Sequence, residues 1–568
     1  MKNLADMLTQ ALGKQPVVLL LKNAQVINVL AGEIHHAHVA IAQGRIIGFG
    51  EHDAKETIDL NGAYLAPSLI DGHIHIESTN LTPQQFARAV VPHGTGAVIA
   101  DPHEFANVLG LDGIHYVLNN QEQFPLDIFV TLPSCVPATA LESSGATLTA
   151  EDLNQLINLP KVVGIAEMMN YPGMLNAEPD VLAKLVLGKH KIIDGHAPQL
   201  SDKILNAYIL AGPNSDHECT TLEEAQEKLR AGMHVHMREG SSEHNLEALL
   251  PLVTPHNTEN FSFASDDRQA ISLLKHGHLN VHVRLALASG LDPISVFKIA
   301  TINTARFYNL KNLGAIAPRF WADLIVFDDL KNFVPRLVFK KGALVAKNGQ
   351  ALFEVASSTQ LKQNTMRVQK FSPDNFKIKA LSKKIRVIEL VPQQIITTAA
   401  IAEAKIENGF AVSDTQRDLL KFAVIERHYA TGRIGLGFVR GFNLTSGALA
   451  SSVMHDSHNL GVLGTNDCDM CLAAARAAEL GGGFVIANQG KIIAELPLPI
   501  AGLVSADAVE IVAEKIEELH RAAAKINCCL PHPFTTMSFL ALTPLPELRL
   551  TDRGLVDVKA FQFVPLFL

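Results

Sequence analysis

Six residues far apart in the chain are of the types that hold divalent cations: His73 and His75 in PSLIDGHIHIES, Glu167 in VVGIAEMMN, His196 in KIIDGHAP, His217 in NSDHE and Asp266 in FSFASDD. Each lies at the end of an apolar, strand-forming run. Residues i and i+2 of a strand point to one face, so His73 and His75 converge. Alone, that pair fits a satisfied core pair as well as a metal pair, because an ion needs further ligands. The other four residues can supply them. Burying so many ionisable groups together is costly unless they are partnered. Four imidazoles and two carboxylates exceed one tetrahedral site and fit two ions with Glu167 between them. A cation pair makes water nucleophilic at neutral pH, which points to hydrolysis.

Other residues stand near these positions. His103, in ADPHE with Asp101, is placed to reach the substrate or a ligand, the alternative being a loop histidine. Asp71 and Glu77 flank the HxH pair and are candidates for orienting its imidazoles. HVHMREG repeats the spacing at His234 and His236; with six ligands assigned, one of the two is expected to face inward. His276, His278 and His282 follow a helical run and are expected at the surface or at a cap.

The elements that must position these groups follow from pattern. Strands are expected to end near Ile76, Asp101, Pro133, Glu167, His196, His217, Glu239 and Asp266, with helices between most of them. Thr82-Pro83-Gln84-Gln85 and Thr221 to Glu224 carry helix-start signals, with Gly94 and Gly232 beyond the ends. Eight such units point to an α/β fold, a (β/α)8 TIM barrel over residues 67–312 whose active site lies at the C-terminal ends of the strands. A doubly wound sheet is the alternative. Short apolar runs in residues 1–66 and 313–356 predict a small β-sandwich domain built from flanking segments, and residues 380–568 a separate C-terminal α/β domain. In the latter, strands are expected at KIRVIEL, IGLGFV, GFVIA and KIIAEL, a hairpin turn at Asn488-Gln489-Gly490, and helices over 414–430 and 505–525. The polar stretch 357–379 is the expected link.

The chain has 568 residues, 48% hydrophobic and 18% charged, which suits several compact domains and excludes a disordered or fibrous class. A net charge of -9 without a basic cluster argues against nucleic acid as a partner and favours a small ligand. The apolar run at 17–21 is too short for a membrane span or signal peptide, so a cytoplasmic protein is expected. Six sparse cysteines predict free thiols, and Cys468-x-x-Cys471, with no second pair, reads as buried thiols on a helix.

The ordered set of HxH, strand-4 Glu, two further His and a strand-8 Asp resembles the amidohydrolase superfamily. Within it PSLIDGHIHIEST, ADPHE, GIAEMMNYPG, DGHAP, SDHE, REGS and ASDDR are similar to the motifs of the adenine deaminase family, as are GALASSVMHDSHNLGVLGTND, GGGFV and LTDRGLVDV near the C-terminus. Nearly the whole chain is covered. Glu167 stands where relatives that act on cyclic amides use a carboxylated lysine; the histidines of HVHMREG stand where apolar residues are expected.

The resemblance implies purine salvage chemistry: a metal-activated hydroxide adds at C6 of adenine, giving hypoxanthine and ammonia. It implies a binuclear divalent centre, Mn2+ first and Fe2+ or Zn2+ as options, and a homodimer. On that mechanism Asp266 serves as a metal ligand and as base then acid, Glu239 protonates the ring beside N1, and Arg238 and Ser241 touch the substrate, against a surface Arg-Glu pair. His455-Asp456-Ser457-His458-Asn459 could cover the barrel mouth or form a local turn. The alternatives are another binuclear-metal hydrolase of amides or N-acyl groups, and a catalytically silent scaffold.

Overall fold

The computed structural model describes residues 2–119, 121–355, 365–392, 394 and 396–568; part of the expected link, 357–364, lies outside the described residues. Its centre is a ring of eight parallel strands: β1 (Leu69–Ile74), β2 (Thr95–Ala100), β3 (Asp127–Leu132), β4 (Val162–Met168), β5 (Ile192–Gly195), β6 (Ser215–Asp216), β7 (His234–Arg238) and β8 (Phe261–Ala264). Strands β1 to β5 form one half-sheet and β6 to β8 the other. Helices connect most of the strands, and the strands carry buried residues on both faces, as a helix-wrapped parallel sheet requires.

The two seams are closed by few hydrogen bonds. Asn214 N–H donates to the Ile193 carbonyl at 3.0 Å between β5 and β6. Beyond the end of β8, Asp266 adopts a left-handed backbone, φ 53°. There its N–H donates to the His73 carbonyl at 3.0 Å and its carbonyl accepts from His75 N–H at 3.3 Å. Asp tolerates this conformation better than most residues. The first and last strands are thus joined through three of the residues singled out above. Gly72 lies just below: a Cβ there would stand 2.7 Å from His236 Nδ1.

The expected helix starts form. Thr82 Oγ1 accepts from Gln85 N–H ahead of the helix Pro83–Val90, and Thr221 Oγ1 accepts from Glu224 N–H. Gly94 and Gly232 follow with φ 92° each. An amphipathic helix, Lys2–Ala11, precedes the first strand, an element the sequence reading had not placed.

Strands from residues 17–67 and 324–351 form one continuous nine-stranded sheet, in which Leu21, Val26, Ile41, Leu65, Leu324 and Phe339 share a core. Beyond the barrel, an eight-stranded sheet runs from the edge strand Thr397–Glu403 to Lys491–Pro497 and packs the helix Asp467–Glu479 against it. Met366 and Phe376 pack into that same core. The hairpin turn at 488–490 is present, with Gln489 and Gly490 at positive φ.

The helix expected over 414–430 does not form. Leu420–Ile425 is instead a fully buried strand, paired antiparallel with Ile434–Arg440 on one side and Leu460–Gly464 on the other. Neighbours on both edges satisfy its backbone, and this tertiary pairing overrides local helical pattern. The helix expected from 505 begins at Val509 and runs to Lys525. It packs beside the barrel helix Ala270–His276. Ser505 N–H donates to the Asn80 carbonyl at 2.9 Å and Asn80 Nδ2 to the Leu503 carbonyl at 3.0 Å, so the C-terminal domain sits on the loop that follows β1.

Candidate active site

At the C-terminal end of the ring the six metal-type residues converge. His73 Nε2 and His75 Nε2 are 3.1 Å apart, and Asp266 Oδ1 lies 3.6 Å from the first and 3.3 Å from the second. Opposite them, His196 Nδ1 and His217 Nε2 stand 2.7 and 3.4 Å from Glu167 Oε2, while Glu167 Oε1 is 3.3 Å from His75 Nε2. Glu167 therefore turns one oxygen toward each pair. The rings of His73 and His217 stack at 4.1 Å. Glu167 Oε2 and His196 Nδ1, close as they are, make no hydrogen bond of proper geometry with any group. Buried polar atoms are nearly always paired, so two facing atoms with open lone pairs fit a shared cation.

The surroundings hold these groups in place. His75 Nδ1 bonds the Asp101 carbonyl at 3.1 Å, which aims Nε2 at the cluster. Burial favours a neutral Glu167 carboxyl, yet the imidazoles of His196, His217 and His75 hold it well below the carboxylate range. Burial likewise opposes charge on Asp266, and the Arg238 guanidinium, with Nη1 at 2.7 Å from Oδ2, together with His75 and His217 holds its carboxyl well below the carboxylate range. Arg238 also forks onto both oxygens of Glu218.

His103 lies in the cavity wall: Nδ1 meets Asp101 Oδ2 at 3.0 Å and Nε2 faces Asp456 Oδ1 at 3.7 Å. The HDSHN segment forms a turn whose His455 and Asp456 line the cavity. His455 Nδ1 approaches Glu104 Oε1 at 3.2 Å, His458 Nε2 stands 3.9 Å from Glu104 Oε2, and all five residues of the segment are buried.

Several expectations are corrected. Glu239 is turned out of the cavity: an antiparallel bridge to His244 folds the loop back, and its carboxylate meets the exposed His244 ring at 2.5 Å. Ser241 bonds Ser272 Oγ at 3.1 Å and faces a neighbouring cavity that shares only Asp267 and His455 with the first. Arg238 reaches the cavity but is bound to Glu218 and Asp266. Asp71 and Glu77 orient no imidazole of the pair. Asp71 accepts from Ser265 Oγ at 2.5 Å and from His73 N–H at 3.2 Å, and Glu77 accepts from Phe105 N–H at 3.1 Å.

The other histidines also differ from expectation. His278 and His282 are fully buried, the former 3.0 Å from Asp71 Oδ2 and the latter bonded to the Ala264 carbonyl at 2.9 Å; His276 is exposed. Both His234 and His236 face the barrel interior, below Arg238, since all three share one face of β7. His234 bonds Ser262 Oγ and stacks on Phe307, and His236 Nε2 meets the Tyr308 hydroxyl at 3.3 Å. Cys468 is exposed and Cys471 partly so, and all six cysteines are free thiols.

The cavity over the cluster is also lined by Glu104, Glu218, Glu243 and Asp267, none of which the sequence reading had named. Glu218 follows His217 directly in SDHE, and that adjacency was the available signal. Glu243 has a buried oxygen without a partner. Burial, opposed by Arg238, raises its carboxyl to about 7.

Comparison with known proteins agrees along the whole chain. The model of the amidohydrolase family matches residues 64–345, and that of the adenine deaminase C-terminal domain matches residues 394–562. The protein called adenine deaminase 2 of Carboxydothermus hydrogenoformans is 47% identical over 570 residues, covering 100% of both chains. The adenine deaminase of Kosmotoga olearia is 46% identical over 100% of this chain and 99% of its own. That of Methanothrix thermoacetophila is 45% identical over 99% of each.

Proposed function

This chain belongs to the adenine deaminase family of the amidohydrolases, and on that premise we propose that it hydrolyses adenine to hypoxanthine and ammonia. The observation that carries the reading is the division of Glu167: one oxygen toward the His75 side, the other toward His196 and His217. The donor set fits a pair of divalent cations. His73, His75 and Asp266 would hold one, His196 and His217 the other, and Glu167 both. Such a pair lowers the pKa of water from about 15.7 toward 7 and so makes it a nucleophile at neutral pH.

The chain's own residues supply the proton transfers. Asp266, clamped on Oδ2 by Arg238, takes the proton of the attacking water with its other oxygen and passes it to the departing amine. As attack at C6 builds electron density on the ring, a protonated carboxyl relieves it at N1. Glu243, raised to about 7 and facing the cavity, takes the role first given to Glu239. Glu218 holds Arg238 in its clamp on Asp266. His455, Asp456 and Phe539 close the mouth and exclude water from the reacting centre.

The finer assignments are part of the proposal. Mn2+ is our choice of metal, and the same nitrogen and oxygen set accepts Fe2+ or Zn2+. The division into a β-domain from 1–66 and 313–356, a barrel over 67–312 and a C-terminal domain over 380–568 is retained. Six free cysteines favour the cytoplasm, and no helix among the described residues is long and apolar enough to cross a membrane; the homodimer rests on the family alone. The test is ammonia release by the Mn2+- or Fe2+-loaded chain with adenine, set against a cyclic amide. Turnover of adenine alone is expected; turnover of the amide alone would overturn the assignment.

A further inference from the structure

The cavity has two chemical sides. The barrel gives it carboxylates, imidazoles and Arg238, whereas its apolar lining, apart from Met169, comes from Phe539, Leu542 and Leu545 of the C-terminal domain. These three side chains form a small apolar cluster of their own, separate from the domain cores, and they remain slightly accessible at 6 to 8%. Phe539 lies flat on His455, ring centres 4.9 Å apart and planes at 13°.

The segment that carries them is anchored at several points. Thr543 Oγ1 donates to Glu142 Oε1 at 3.1 Å and pairs with Thr139 Oγ1 at 2.7 Å, both on the loop after β3. Arg549 Nε holds the Leu545 carbonyl at 2.8 Å. A pinned apolar wall facing a polar cluster matches a flat ring that reacts at one edge only.

Resting on the activity assigned above, we infer that Phe539, Leu542 and Leu545 decide substrate size: they pack against the five-membered edge of a free purine and exclude purines substituted at N9. With C6 at the carboxylates and imidazoles, that edge is the part of the ring remote from the polar side. A sugar on N9 would have to displace anchored side chains, a steric cost that the bare base does not meet. The C-terminal domain on this view does more than roof the barrel, because it selects the bare base over the nucleoside.

The experiment compares adenine with 9-methyladenine on the metal-loaded protein. Wild type should prefer adenine by about 100-fold or more in kcat/KM, the scale on which a pocket senses added carbon. Leu542→Ala and Leu545→Ala should each cut that preference about tenfold while adenine turnover falls less than about tenfold. Phe539→Leu is read by the same ratio, so misfolding of one variant does not decide the result, and metal content is measured throughout. Wild type accepting both bases equally, or an unchanged preference in variants that still deaminate adenine, overturns the inference. A metal-loaded wild type inactive on adenine would instead overturn the activity itself.

Discussion

Two tiers of buried ionisable side chains occupy the same barrel and differ in how they are satisfied. In the lower tier the protein supplies a partner to each carboxylate and to at least one nitrogen of each histidine: Asp71 meets His278 at 3.0 Å and Ser265 Oγ at 2.5 Å. Asp194 accepts from Ser215 Oγ at 2.8 Å and the Tyr308 hydroxyl at 2.9 Å, and His234 pairs with Ser262 Oγ at 2.8 Å. In the upper tier, Glu167 Oε2 and His196 Nδ1 are buried, adjacent and without a hydrogen bond. Residue type is the same in both. What separates the two is an unbonded carboxylate oxygen beside an unbonded imidazole nitrogen, 2.7 Å apart in the upper tier; His236 and His282 in the lower tier are each held through their Nε2.

The largest expected effect tests that contrast directly. Glu167→Ala should lose both metals, measured by elemental analysis, together with all detectable turnover; a variant that keeps its metal would break the distinction between tiers. Asp266→Asn should lower kcat by about 10²- to 10⁴-fold while most of the metal stays, as expected for loss of a proton-transfer group. Near wild-type kcat would remove it from that role.

Glu243 and Glu239 sharpen the comparison within one loop. Glu243→Gln should lower kcat/KM by about 100-fold, whereas Glu239→Gln should stay within about threefold. The reverse ranking would restore Glu239. Because Glu243 must act as the acid and its carboxyl lies at about 7, wild-type kcat/KM should fall as pH rises through that value, and the limb should be absent in Glu243→Gln. The smallest effect on chemistry is expected from the lower tier. Asp71→Ala should leave turnover per folded molecule within about tenfold, yet cost about 1 to 3 kcal/mol in urea unfolding by leaving the buried Ser265 and His73 N–H groups without their acceptor. Unchanged stability would mean the lower tier is not a structural network.

How much of this could be read along the chain varies by position. Strand alternation fixes which way a side chain points, so the ligand types at the ends of β1, β4, β5, β6 and β8 were legible, as was Arg238 on the inner face of β7. The same alternation puts the next residue, Glu239, on the opposite face. Beyond it the strand has ended, and the bridge between Glu239 and His244 reverses the loop and brings Glu243 inward, which no periodicity foretells. Ser241 was misplaced for the same reason. His278 and His282 seemed peripheral because a helical run precedes them, but helices of the outer ring bring residues back onto the strands, where Asp71 and the Ala264 carbonyl bond them.

By itself the sequence determined the family, the ring of strands and the six groups that gather at its mouth, because strand periodicity and metal-ligand chemistry are local properties. Tertiary structure decided the rest: which carboxyl faces the cavity, which histidines are already satisfied, and that residues 455–459 and 539–545 complete its walls. Those contacts join segments hundreds of positions apart, as between Thr139 and Thr543. Their pairing depends on how the C-terminal domain packs against the barrel, a property of the folded chain that no single stretch of it contains.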